Sequence, residues 1–315
     1  MHPIMYVAIA FGILALLTLI TSFICYIRVF YCKRRVIDES GEVDIPHKPL
    51  YDAHREQIIE WVKMTRGMQY EEMTIRSHDG LTLYGRYYEC KSGAPVEILF
   101  HGYRGNAERD MSGGVDRCFR MGRNALIVDQ RASGHSGGST TTFGINEAKD
   151  CLRWVDHAIE RFGKDVRLIL TGVSMGAATV MIASGEKLPD NVLYTLADCG
   201  YTSAKEIIKR VIREMGLPAT LLYPFVKLGA LIFGHFNIDE TSPIEAVKHA
   251  TVPIVFIHGD KDDFVPPDMS ERLYEVCPTR KMLSLIPGAG HAVAFPHNME
   301  LYLDTLNEFW DECGF

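Results

Sequence analysis

The sequence predicts an α/β protein with a mostly parallel eight-stranded sheet and helices on both faces, on three observations. Short apolar runs alternate with helical stretches from residue 96 onward. The pentapeptide Gly172-Val173-Ser174-Met175-Gly176 stands between one such run and one such helix. A long charge-free apolar stretch precedes both.

From Pro3 to Ile27 no residue is charged, and as a helix this stretch would span about 37 Å, enough for a hydrocarbon core of about 30 Å. A transmembrane anchor is expected over residues 1–35. A cleaved signal peptide is the rival, but a basic leading region and an A-x-A-like site are both missing. Arg28, Lys33, Arg34 and Arg35 all follow the span, so the positive-inside rule places the remaining chain in the cytoplasm, with the cell membrane as its location.

Residues 36–69 read as a linker and an amphipathic helix. Val36 to Pro49 is polar and contains proline, and Tyr51 to Thr65 spaces Ile58, Ile59, Trp61 and Val62 for a helix that packs on the domain or lies at the membrane surface. Residues 70–315 form the expected catalytic domain. Glu72–Ser77 and Leu81–Tyr88 alternate around His78-Asp79-Gly80, which predicts a hairpin with an Asp-Gly turn. Buried strands follow at Val96–Phe100, Ala125–Val128, Val166–Leu170, Val192–Leu196, Val252–Ile257 and Met282–Ile286, with helices at Asn106–Met121, Ile145–Phe162 and Met175–Lys187. Such alternation puts ligands at the carboxyl ends of the strands. Residues 200–250 interrupt it with an insertion of about fifty residues, a length that usually carries function. Its apolar content fits a small helical cap, either as a hydrophobic wall over the site or as side chains that pack the insertion onto the domain.

The formal charge is -7 and the pI about 5.9, with no basic tract, so nucleic acid is not an expected partner. Eight cysteines show no C-x-x-C spacing, which argues for reduced thiols and against a disulfide scaffold or zinc site. No metal or organic cofactor is implied.

The glycines of the pentapeptide allow a strained strand-to-helix turn that lifts the Ser174 hydroxyl to the rim of a sheet. A serine needs a base to take its proton and a third group to orient that base. The Ile257–Pro266 segment offers Asp260, Asp262 and Asp263, and Gly288-Ala289-Gly290-His291 offers an imidazole on a glycine-rich loop. The order Ser, Asp, His is the one expected for a nucleophile elbow on an α/β sheet.

Over roughly residues 70 to 312 the chain resembles the alpha/beta-hydrolases. His258, Gly259, Asp262, Val265 and Pro266 match the family's H-G-x-x-D-x-x-V-P pattern, and His291 matches its G-x-G-H-type loop. Phe100 to Asn106 is similar to its H-G-x-x-x-N loop, and Asp129 to Ser136 to its D-x-R-x-x-G-x-S loop. The resemblance implies Ser174 as nucleophile, His291 as base, Asp262 as triad acid, and an oxyanion hole from the backbone N–H groups of Tyr103 and Met175. It is nearer to bacterial single-span-anchored members of the serine aminopeptidase S33-like and dienelactone-hydrolase-like branches, several of which carry a sequence like Asp198 to Ser203. Asp198 is then a brace for the site or cap, Asp129 and Arg131 an ion pair or loop brace, and His101 a packing residue beneath the oxyanion loop.

The expected activity is hydrolysis of a carboxylic ester or thioester of a small acyl substrate. The alternatives are an aminopeptidase or amidase, with Glu206, Glu214, Asp239 or Glu240 receiving an amine, and a non-catalytic binding protein on the same fold.

Overall fold

The structure, a computed structural model, describes residues 3–33, 41, 43, 45 and 52–315. Arg34, Arg35, Tyr51 and most of the linker expected at 36–49 lie outside these residues. Helices α1 (Pro3–Val29) and α2 (Arg55–Gly67) lead into the hairpin β1 (Glu71–Arg76) and β2 (Thr82–Tyr88). There follow β3 (Val96–Phe100), α3 (Ala107–Arg120), β4 (Asn124–Asp129), α4 (Ile145–Phe162), β5 (Leu168–Val173), α5 (Met175–Ser184) and β6 (Val192–Asp198). The insertion forms α6 (Ala204–Glu214), α7 (Ala219–Ile232) and α8 (Pro243–Val247). The chain closes with β7 (Ile254–Gly259), α9 (Asp268–Val276), β8 (Lys281–Ile286), α10 (Ala294–His297) and α11 (Met299–Cys313).

The eight strands form one sheet in the order β1-β2-β4-β3-β5-β6-β7-β8, parallel from β4 to β8, with β1 and β2 antiparallel at one edge. Side chains alternate across it, as period two requires. Ile98, Phe100, Leu126, Val128, Leu168 and Leu170 meet α4 and α5, whereas Leu99, Ala125 and Ile127 meet α3, and Ile169 lies with α11 residues. Strand order reverses at β3, which opens the crevice that such sheets use for ligands, at the strands' carboxyl ends.

Three element ends differ from expectation for identifiable reasons. Strand β5 continues through Thr171 and Gly172, which pair with β3 and β6. A Cβ on Gly172 would lie 2.0 Å from the Gly176 carbonyl oxygen, so glycine is needed where the strand doubles back into α5. Helix α5 stops at Ser184, where Gly185 and Glu186 donate to the carbonyls three residues back, Ile182 and Ala183, both at 3.1 Å, and Gly185 lies against Ala246, where a Cβ would come within 2.7 Å of its carbonyl oxygen. Strand β7 starts after Pro253, which has no N–H to give a ladder, and runs on through His258 and Gly259 because these pair with Leu285 and Ile286 of β8.

The insertion packs where the sequence alone could not place it. Tyr223, Val226 and Ala230 of α7 share a buried cluster with Tyr26 and Phe30 at the end of α1. Gly229 lets the two helices touch, since a Cβ there would be 2.4 Å from the Ser22 carbonyl oxygen. The amphipathic helix α2 packs on the domain: Trp61, Val62 and Thr65 are buried, and the Thr65 and Ser112 hydroxyls are 2.8 Å apart.

Candidate active site

Each of the three candidate triad residues stands at the carboxyl end of the sheet. Ser174 occupies the turn between β5 and α5 with φ 56° and ψ -112°, a conformation that costs a non-glycine residue energy and that the packing around it must hold. Its N–H donates to the Asp198 carbonyl at 2.8 Å. Gly176 is required on the far side, because a Cβ would lie 2.0 Å from the Phe100 carbonyl oxygen.

The structure brings Ser174, His291 and Asp262 together. Ser174 Oγ lies 2.9 Å from His291 Nε2, and His291 Nδ1 lies 2.7 Å from Asp262 Oδ2. A carboxylate only accepts, so Nδ1 carries the proton and Nε2 is left to accept from the serine hydroxyl. Asp262 Oδ1 accepts from the N–H groups of Phe264 and Val265 at 3.0 and 2.8 Å. Burial pushes the Asp262 carboxyl upward, but hydrogen bonds from His258 and His291, the charge of His291 and the Val265 N–H outweigh it and hold the group down at about 2. Asp260 accepts from the Gly288 N–H instead, and Asp263 lines the cavity.

The residues expected to hold an oxyanion are adjacent. Gly102 approaches Ser174 closely enough that a Cβ would be 3.6 Å from the serine Cβ, which places Tyr103 beside the nucleophile, and Met175 opens α5 directly after it. Tyr103 also joins Ser174 in lining a cavity of about 850 Å³. Its walls include Trp61, Leu99, Met111, Val173 and Phe295. No residue between 200 and 250 lines it; the hydrophobic wall comes from α2, α3, α10 and the ends of β3 and β5, and the insertion's buried apolar side chains pack on α1 and on the domain.

Other expectations sort as follows. Arg131 does not pair with Asp129 but with Asp79 and Asp150. Asp129 braces its loop by accepting from the N–H groups of Ala107 and His135. Asp198 accepts from the Tyr302 hydroxyl at 2.9 Å and braces α11, not the cap. His101 is buried, with Nε2 accepting from the Gln130 N–H at 3.0 Å. The sequence reading gave His258 no role, although it stands in the same motif as Asp262. Its Nε2 is 3.0 Å from Asp262 Oδ2.

Cys199, Asp262 and His291 offer atoms within 4.8 Å of one another, a set that could in principle hold a metal. Both His291 nitrogens are hydrogen-bonded, however, and burial pushes the Cys199 thiol far above its usual range, away from the thiolate a metal needs.

Comparison with known proteins agrees with this architecture. The uncharacterized protein YqkD of Bacillus subtilis is 31% identical over 195 residues, a match that covers 62% of this chain and 64% of that one, less than two thirds of its length. The uncharacterized membrane protein YNL320W of Saccharomyces cerevisiae is 23% identical over 254 residues, 80% of this chain and 83% of that one. The Pyrococcus furiosus esterase Pf2001 superposes with a TM-score of 0.64 at 21% identity, covering 90% of this chain and 98% of that one, a likeness that establishes the fold. The model of the prolyl oligopeptidase family matches residues 118–314, well over half of the chain. This chain therefore belongs to the prolyl oligopeptidase family and has the alpha/beta-hydrolase fold.

Proposed function

We propose that the protein is a membrane-anchored serine hydrolase that cleaves carboxylic esters or thioesters through an acyl-enzyme. The observation that carries this reading is the unbroken hydrogen-bonded series from Ser174 Oγ through His291 to Asp262. As Ser174 Oγ bonds to the substrate carbonyl carbon, its proton passes to His291 Nε2 and the carbonyl electron pair moves onto oxygen. The backbone N–H groups of Tyr103 and Met175 receive that oxyanion, and one such donor is worth roughly 10²–10³ in rate. Collapse expels the alcohol or thiol, which takes the proton from His291. Water then repeats the sequence, releasing the acid and restoring the serine, while Asp262 stabilises the imidazolium in both halves.

The cavity beside Ser174 suits an acyl group of modest size, with Trp61 and Met111 as apolar contacts. An amine-directed peptidase reading has less support. Glu206 pairs with Arg272, Glu214 with Arg210, Asp239 with Lys227 and Glu240 with Lys149, and none of the four lines the cavity. The anchor is residues 1–35, the linker and helix 36–69, and the catalytic domain 70–315, placed on the cytoplasmic face of the cell membrane. Pro3–Val29 is long and apolar enough to span, and the yeast relative is described as a membrane protein.

Fluorophosphonate labelling that vanishes in Ser174→Ala, with ester turnover lowered about 10⁶-fold, is the expected result. Undiminished turnover in that variant would sink the proposal. Side-by-side p-nitrophenyl esters and amino-acid amides separate esterase from amidase. Protease protection of residues 40–315 in intact cells tests the orientation.

A further inference from the structure

Helix α7 has two apolar faces. One is buried against α1 and the domain through Tyr223, Val226 and Ala230. On the other, Leu221, Pro224, Leu228 and Leu231 recur at steps of three, four and three, a single helical stripe. Leu221 is 65% exposed and Leu231 55%. The one charged residue in α7, Lys227, is tied to Asp239 at 2.7 Å. An uncharged, exposed leucine stripe on a soluble surface is an unmet burial requirement.

The position of α7 on α1 points to what meets it. Gly229 of α7 meets the Ser22 carbonyl, and the ring of Phe23 lies against Phe233, the residue that follows α7, with 5.1 Å between centroids. Pro3 to Leu17 is exposed throughout. Residues 3–21 amount to about 28 Å of helix, close to the hydrocarbon thickness of about 30 Å. The carboxyl end of α7 therefore meets α1 just past residue 21, where a span of that length ends, at the depth of the lipid headgroups. Next to it, α6 presents Lys205 and Lys209, whose ammonium groups lie 5.9 and 5.2 Å from the Tyr223 ring. Neither makes a salt bridge among the described residues. Apolar side chains beside free lysines match an anionic lipid surface.

We propose that the outer stripe of α7 is a second membrane contact, entering the headgroup and acyl boundary of the bilayer that α1 crosses. The hydrolase body then rests on the lipid through α1 and α7 together instead of trailing from a tether. This rests on reading α1 as a span, and not on the chemistry assigned to Ser174.

The test is photo-cross-linking of the full chain in vesicles of phosphatidylcholine and phosphatidylglycerol, with benzoylphenylalanine at Leu221 or Leu231. Ile13 in α1 serves as the span reference and Lys187, in the connection leading into β6, as the exposed control. Lipid adducts at 221 and 231, with none at 187, are expected. Adducts at 13 alone would leave the anchor standing and overturn the α7 contact; absence at all three apolar positions would overturn both. Cross-linked dimers at 221 or 231 would assign the stripe to a second copy of the chain and likewise overturn the proposal.

Discussion

His258 Nε2 lies 3.0 Å from Asp262 Oδ2, the same oxygen that accepts from His291 Nδ1 at 2.7 Å. The other neighbour of His258 Nε2 is the Val265 carbonyl at 2.9 Å, so both neighbours only accept and this nitrogen must carry the proton. His258 Nδ1 then accepts from the Ser270 hydroxyl at 2.7 Å. The carboxylate is thus held from behind by one imidazole while it orients another.

His258→Ala removes a hydrogen bond to a charged group, worth about 1.5–3 kcal/mol. Ester hydrolysis should fall roughly 10- to 100-fold in kcat with KM little changed, because His258 does not line the cavity. Steady-state kinetics check the split, and His258→Gln, which can donate to the same oxygen, should recover part of the loss. A rise in KM at constant kcat would refute the positioning role.

The low Asp262 pKa has a sign that can be measured. Its folded value of about 2 lies below the ordinary 3.8, so the carboxylate contributes stability that is complete above about pH 4 and disappears as pH falls through 2. Asp262→Asn cannot titrate. The melting-temperature difference between wild type and this variant should therefore hold constant from pH 7 to 4 and narrow from 4 towards 2. A difference that already shrinks near pH 6 would contradict the assigned environment. At neutral pH the variant should lose about 10⁴ in kcat.

Much of this site was legible in the sequence because it is written locally. The elbow at Ser174, the loop of Asp262 and the loop of His291 each carry their geometry in a few contiguous residues, with glycines at 172 and 176 where backbones nearly touch. What could not be read depends on elements distant in the chain. Helix α7 buries its apolar face on α1, about two hundred residues earlier, a pairing that no periodicity encodes. The cavity lies under α2 for a similar reason: Gly113 of α3 leaves space for Trp61, whose ring a Cβ would approach to 2.7 Å. Arg131 likewise meets Asp79 and Asp150 instead of its near neighbour Asp129.

Trp61 should set the acyl length. It is buried, it lines the cavity, and its ring stacks on Phe295 with centroids 5.5 Å apart. Trp61→Leu shortens that wall, and each additional methylene then buried is worth about 0.8 kcal/mol. Across a p-nitrophenyl ester series the optimum should move to a longer chain, with kcat/KM for an ester two carbons longer gaining roughly tenfold relative to the wild-type optimum. An unchanged chain-length profile would mean that the acyl group lies elsewhere.

Tyr103 separates two roles within one residue. Its hydroxyl donates to the Val29 carbonyl at 2.7 Å, one of the carbonyls left open at the end of α1, and Arg104 donates to the Arg28 and Tyr31 carbonyls at 3.0 Å. The loop proposed to hold the oxyanion is therefore bonded through side chains to the end of the proposed membrane span, while its backbone N–H remains for catalysis. Tyr103→Phe deletes the latch and keeps the amide. Losing one such bond costs about 1 kcal/mol and should lower the melting temperature by about 2 °C, with kcat nearly unchanged. A kcat loss of 10²–10³ would instead make the phenolic hydroxyl the oxyanion donor, and an unchanged melting temperature would mean that the end of α1 is held without it.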